Sequence, residues 1–316
     1  MSRLIALIGI LAMALLDGNA VAQQEAQWAH NMFNSLATNP AFAGSVNGIC
    51  ATGLARQQWV GFKEEGENVA PETYQLSIHT PINILHGGIG ASIYQDKLAF
   101  NREIGFKIAY AYRTDIGMGN LGVGLQVGFI NGYIDYSKFR PRQSGDQLIE
   151  GKSEESDMLL DFGFGLHYFV PGKYSVGLST TRLSESQSPG DILGYKTKRH
   201  YYLSGEYRFS LPSNPSFEII PSVLIKSDAV VTQFDLAALV SYNEKFWGGA
   251  GYSTIRVYDP ISVMIGVKIK DVRVGYAYGI PTSVIGSGGS HEIMVGYCFK
   301  IDFDKGRRSY KNTRFL

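Results

Sequence analysis

His291-Glu292-Ile293-Met294-Val295-Gly296-Tyr297-Cys298-Phe299-Lys300-Ile301-Asp302-Phe303 is the stretch whose reading decides the fold. In an extended strand Ile293, Val295, Tyr297, Phe299 and Ile301 fall on one face. Met294, Gly296, Cys298, Lys300 and Asp302 fall on the other. Such a period of two, with aromatic residues on the apolar face, is what a lipid-facing barrel strand requires. A soluble edge strand alternates in the same way, so the rest of the chain has to repeat the pattern often enough to close a barrel.

It does. Candidate strands fall at 46–56, 73–82, 87–97, 103–114, 120–133, 159–170, 173–183, 200–211, 216–228, 232–243, 246–255, 261–270, 272–280 and 291–303, fourteen in all. Most run 9–13 residues, long enough to cross a bilayer at a tilt, for which about 9–11 suffice, against a usual strand of about 5–6. The phase is steady: Ile104, Phe106, Ile108, Tyr110 and Tyr112 alternate with Glu103, Gly105, Lys107, Ala109 and Arg113. A Lys or Arg on the lipid face at mid-membrane costs about 2–4 kcal/mol, so these charges belong to the lumen or the strand ends. Connections after even strands are short (83–86, 171–172, 244–245), whereas 57–72, 134–158, 184–199 and 281–290 are long. Short periplasmic turns and long outer loops are the bacterial outer-membrane pattern. The expected fold is therefore an all-β, antiparallel transmembrane barrel of about fourteen strands, with a soluble β-sandwich as the alternative.

Composition agrees. The net charge of +1 excludes a nucleic-acid footprint, and mean hydropathy is only −0.04, as expected when every second barrel residue is polar. Arg3, the apolar run Leu4 to Leu16 and Ala20-Val21-Ala22 read as a secretory signal peptide, residues 1–22. Residues 23–45 lack alternation, and Asn39-Pro40 breaks any regular element. They read as an ordered N-terminal segment, periplasmic or plugging the lumen. The barrel is expected over 46–303 and a basic periplasmic tail over 304–316, with both termini periplasmic.

No signature of catalysis, metal or cofactor binding is present: no phosphate loop, no His-x-x-x-His, no Cys-x-x-Cys. Asp161, His167 and Ser179 can be imagined as a hydrolase triad, but scattered polar residues are what a lumen carries anyway. Cys50 and Cys298 lie in the first and last strands, on the faces of Arg56 and Lys300. Either they form a disulfide across the closing seam or they are two unrelated small residues. Gly122, Gly124, Gly128, Gly163, Gly165, Gly275 and Gly279 make the lumen face small, leaving room for a channel or a plug.

From Asn39-Pro40-Ala41-Phe42-Ala43-Gly44 onward the chain resembles the PorP/SprF family of the type IX secretion system. Arg56-Gln57-Gln58-Trp59-Val60-Gly61-Phe62, Pro71-Glu72-Thr73, Val176-Gly177-Leu178-Ser179, Pro221-Ser222 with Lys226, and Phe234-Asp235 carry the likeness. So do Phe246-Trp247-Gly248-Gly249, Gly275-Tyr276-Ala277-Tyr278, Ser290-His291-Glu292-Ile293 and Arg314-Phe315-Leu316. The chain departs from the family at Gly279, where an acidic residue is frequent, and at Ser253, where Arg is frequent. The resemblance implies a non-enzymatic outer-membrane component of export, surface attachment and gliding. Its implied partners are outer-membrane lipids, the periplasmic secretion ring with its peptidoglycan-binding lipoprotein, and the C-terminal domain of a secreted surface protein. Expected partner contacts are Asn39, Pro40, Gly44, Arg56, Gln58, Trp59, His291, Glu292 and, in the tail, Arg307, Arg308, Arg314 and Phe315. A channel for small or hydrophobic solutes is the competing function.

Overall fold

The computed structural model describes residues 26–64, 66–139, 154–187, 196–256, 258–283 and 287–299. The expected signal peptide and basic tail, with Arg307, Arg308, Arg314 and Phe315, lie outside the described residues. Each alternating stretch forms one strand: β1 (Ile49–Gln57), β2 (Glu72–Ile82), β3 (Gly87–Leu98), β4 (Asn101–Ile116), β5 (Gly119–Asp135), β6 (Glu154–Val170) and β7 (Tyr174–Thr181). Then come β8 (His200–Tyr207, continued by Phe209–Leu211), β9 (Asn214–Ser227), β10 (Thr232–Tyr242), β11 (Phe246–Ser253), β12 (Ile261–Ile269), β13 (Val272–Ile280) and β14 (Ser290–Phe299).

Every strand pairs antiparallel with its sequence neighbours, and β1 pairs with β14 from Ile49↔Phe299 to Gln57↔His291. The result is a closed fourteen-stranded antiparallel barrel. No helix among the described residues is long and apolar enough to cross a membrane; the strands do that instead.

Boundaries shift where a local rule overrides periodicity. Gly44 takes a left-handed φ of 68° and Gly48 a φ of 156°, which delays β1 to Ile49. Arg182, at φ 55°, ends β7 early. Pro221, opposite Tyr207 in the register, has no N–H to give the ladder between β8 and β9, and the strand is interrupted at Arg208, whose N–H goes to Lys173 O (2.7 Å). At β6 the strand begins five residues earlier than the alternation indicates, because β5 pairs with it as far as Asp135↔Glu154.

The outward face is a continuous apolar wall including Leu76, Ile93, Phe106, Leu125, Val240 and Val295. Aromatic residues ring both edges. Tyr112, Tyr207, Tyr242, Phe246 and Tyr297 lie near the short-turn rim; Tyr74, Tyr201, Tyr252 and Tyr276 lie near the long-loop rim. Two such girdles bracketing an apolar band are the mark of a bilayer-embedded barrel. The inward face is buried rather than wet: Ile130, Met264 and Met294 are 0% exposed and Arg56 1%. In an open porin those positions would line water. Something fills the lumen.

Candidate functional site: the filled lumen and its rim

The filling is the N-terminal segment. Residues 26–48 run inside the barrel from the long-loop half to the short-turn rim, in three single turns of 3-10 helix, Asn31–Phe33, Ser35–Ala37 and Pro40–Phe42. The last turn is capped by Asn39, whose Oδ1 accepts from Ala41 N (2.9 Å) with Pro40 at the first helical position. Asn39 Nδ2 donates to Leu166 O on β6 (2.9 Å). Along its course Asn34 Oδ1 accepts from Ser77 on β2, and Thr38 O accepts from Ser179 on β7.

The upper end is held by charge. Glu292 on β14 is 2% exposed. Its Oε2 accepts from Ala29 N (2.7 Å), and its Oε1 accepts from His30 N (2.8 Å) and from His30 Nδ1 (2.6 Å). Beside it Arg56 on β1 donates to Gln27 O (3.1 Å) and to Asp259 Oδ2 (2.9 Å), and stands 3.6 Å from Glu292. With its amide oxygen turned toward Arg56, Gln58 accepts from Nε and Nη2, each at 3.2 Å. Lys226 on β9 donates to Gln27 Oε1 and pairs with Asp235 at 3.0 Å. The buried cations Arg56, Lys226 and Arg256 are thus matched by the carboxylates of Asp235, Asp259 and Glu292. Burial, with Arg56 close by, pulls the Arg256 guanidinium below its ordinary value.

Next to this network Phe33 packs on Trp247 (centroids 4.8 Å) and under Arg273 (4.9 Å).

The lower end is held by fit. A Cβ on Gly124 would fall on the backbone of Ala41 and Pro40, and one on Gly165 would collide with Asn39 and Pro40. A Cβ on Gly44 would come within 2.6 Å of Gly88 Cα. Arg113 on β4 donates to Ala41 O (3.0 Å) and Ala43 O (3.1 Å). Phe42 stands between His79 and His167, 5.3 Å from each ring.

Residues pictured from the sequence as partner contacts are therefore distributed in two ways. Asn39, Pro40 and Gly44 belong to the plug itself, and Arg56 and Glu292 face the molecule's own interior and grip it, with Gln58 beside Arg56. Trp59 and His291 lie at the rim. Trp59 adopts an uncommon left-handed φ of 51° and packs edge-on against Tyr258 (5.3 Å) and Phe62 (6.3 Å). His291 bonds Tyr276 OH through Nδ1 (2.7 Å) and Gly288 O through Nε2 (3.1 Å). The imagined triad does not assemble: Ser179 is engaged by Thr38, His167 by Phe42 and Phe169, and Asp161 stands 3.8 Å from Lys107. Among the described residues no group of three or more metal-ligating side chains occurs. Cys50 and Cys298 are register partners across the β1–β14 seam and are joined as a disulfide.

Sequence reasoning missed Asp259, Arg256 and His30. The first two sit in the β11–β12 connection, where a charge normally means solvent, and no local signal marks them as buried. A trace existed in the departures at Gly279 and Ser253. A Cβ on Gly279 would meet Asp259 Oδ2 at 2.6 Å, so the loop carboxylate occupies that space. Ser253 donates to Asp235, near Arg256.

The model of the type IX secretion system membrane protein PorP/SprF matches residues 20–297. No curated protein matches the chain. Among solved structures, the Pseudomonas putida toluene transporter TodX is similar at 13% identity and TM-score 0.50, covering 85% of this chain and 93% of that one. Acinetobacter baumannii Omp33 is similar at 9% identity and TM-score 0.43, covering 81% and 98%. At 13% identity the likeness to TodX speaks for the barrel fold alone. With the family matched over most of its length, this chain belongs to the PorP/SprF family of type IX secretion system membrane proteins.

Proposed function

We propose that the protein is a non-enzymatic, non-conducting barrel of the type IX secretion system, supporting export or surface attachment of cargo and linking to the periplasmic machinery. The observation that carries this reading is the filled lumen. A plug bonded to the surrounding strands by buried ions and backbone contacts occupies the lumen, which disfavours solute transport. A closed, rigid barrel can still offer its rims as docking surfaces. In this reading the short turns face the periplasm, with the basic tail 304–316 beside them for an acidic partner surface. Outside, the Trp59, Phe62 and Tyr258 cluster faces cargo.

The test is affinity purification of the full-length protein from native outer membranes, with mass spectrometry of what accompanies it. Co-purification of secretion-ring components and of a surface protein's C-terminal domain supports the reading. Recovery of the barrel alone at normal abundance would count against it. Deleting 304–316 should weaken ring recovery while leaving barrel abundance equal; unchanged recovery would remove the tail from the account.

A further inference from the structure

The short-turn rim has two unlike sides. On one, the turns 171–173, 243–245 and 270–271 expose Lys173, Glu244, Lys245, Lys270 and Asp271. On the other, the β2–β3 turn Asn83-Ile84-Leu85-His86 and the β4–β5 turn Ile116-Gly117-Met118 hold no Asp, Glu, Lys or Arg. They expose large apolar side chains instead: Ile84 is 89% exposed, Met118 76%, Leu85 53% and Ile116 49%. The two turns are neighbours, because β3 pairs with β4 and Arg113 N donates to His86 O (2.8 Å). Asp115, the carboxylate next to Ile116 along the chain, falls on the opposite face of β4 and accepts from Asn120 Nδ2 (3.0 Å).

A turn in water leaves its outer carbonyls to solvent. Here tyrosines take them from the lipid side. Tyr110 OH donates to Leu85 O (2.7 Å), and Tyr168 OH donates to Ile116 O (3.1 Å). Tyr110 shares the outward face of β4 with Phe106 and Ile108, and Tyr168 shares that of β6 with Phe162 and Phe164. Each turn is followed by a glycine, Gly87 or Gly119, that leaves room for the ring. A Cβ on Gly87 would come 3.1 Å from Tyr110 Oη, and one on Gly119 would come 2.5 Å from Tyr168 Cζ. Within the first turn His86 N donates to Asn83 O (3.1 Å). Backbone that enters lipid has to satisfy its polar groups inside the protein.

We propose that these two turns are immersed in the bilayer, with Ile84, Leu85, Ile116 and Met118 at the boundary of headgroups and lipid chains. The barrel then stands deeper in the membrane on its β2–β5 side than on the side of Lys173, Lys245 and Lys270. Lipid is the occupant because the patch continues the lipid-facing wall, through exposed Ile89 on β3 and Tyr112 on β4. The tyrosines that cap the turns stand on the same outward face as the girdle that marks the membrane boundary. Asn83 and His86 give the first turn a polar edge for the headgroups. An exposed apolar patch of this kind is a membrane or protein contact rather than a solvated surface. The depth of the turns does not depend on which partners the rims take, so this footing and the secretion reading can fail separately.

The test places single nitroxide labels on the full-length protein in phosphatidylcholine–phosphatidylglycerol vesicles, through Ile84→Cys, Met118→Cys and Lys245→Cys. Cys50 and Cys298 are bonded to each other and take no label. Power saturation compares collisions with oxygen, which dissolves in lipid, and with a neutral nickel chelate, which stays in water. The oxygen-to-nickel ratio at 84 and 118 is expected to exceed that at 245 by roughly ten-fold. Equal ratios at the three positions would put the turns in water and overturn the proposal. Loss of both kinds of collision at 84 and 118 would mean that protein covers the patch, a second copy included, and would overturn it equally. Ile116→Cys, on the outward face of β4, gives the same reading should a turn variant lose the heat-modifiable gel mobility of a folded barrel.

Discussion

The two ends of the plug are held by opposite physics. Gln27 to His30 are seized by Glu292, Arg56 and Lys226, ions desolvated inside the barrel. Asn39 to Gly44 are seated against Gly124, Gly165 and Gly88, where absent side chains make the room and Arg113 adds hydrogen bonds to the Ala41 and Ala43 carbonyls. A buried ion network stabilises only while complete, since removing one member strands the others. A glycine cradle tolerates any charge but no added volume. One segment thus reports on both kinds of perturbation, and each end can be broken separately.

The largest effect is expected at the upper end. Glu292→Ala leaves Arg56 short of a carboxylate and frees the Ala29 and His30 amides, for a loss of about 3–5 kcal/mol. The midpoint of heat-modifiable gel mobility in detergent should fall accordingly. Arg56→Ala added to it should cost less than the sum of the single changes, because the two side chains share one network. Additive costs would mean that the network is not a unit. Next comes the seam, which is independent of both ends. Reducing Cys50–Cys298 should cost about 2–4 kcal/mol on the same scale. Intact-mass measurement without reductant should find both thiols oxidised.

At the lower end Gly124→Ala should cost about 1–3 kcal/mol by overpacking against Ala41, with little dependence on pH or salt. A neutral outcome there would show that the cradle is loose. The smallest effect lies outside the plug. Asp228 in the β9–β10 connection is partly buried, which works against its charge. The N–H groups of Val231 and Val230 outweigh that and hold its carboxyl below the ordinary value. Its contribution is therefore present above the ordinary carboxylate range and lost as pH falls through the depressed value. Asp228→Ala should cost about 1 kcal/mol at neutral pH and flatten that acid limb of a stability profile.

The barrel was legible because its signal is local. Alternation in Ile104 to Tyr112 or Val272 to Tyr278 can be read within ten residues, and so can the turns between strands. The seam partners Cys50 and Cys298 were legible once strand order was assumed, because a closing barrel must bring first and last strands together. The plug was not. Ala29 meets Glu292 across 263 positions, and residues 26–48 show no period because the segment meets many strands of the barrel along its course. Glycines such as Gly124 and Gly165 announced space in the lumen without naming its occupant. Asp259 looked like any loop carboxylate until its loop was seen to fold inward. Motif likeness singled out Arg56 and Glu292 as partner contacts, whereas they lie buried in the molecule's own ion network: a motif does not tell a partner's surface from the core.

The central claim is that residues 26–48 seal the barrel. Planar-bilayer recording of the purified full-length protein tests it most directly. No sustained ion current is expected across the voltages that open ordinary porins. A steady, porin-like conductance from the wild-type chain would contradict it.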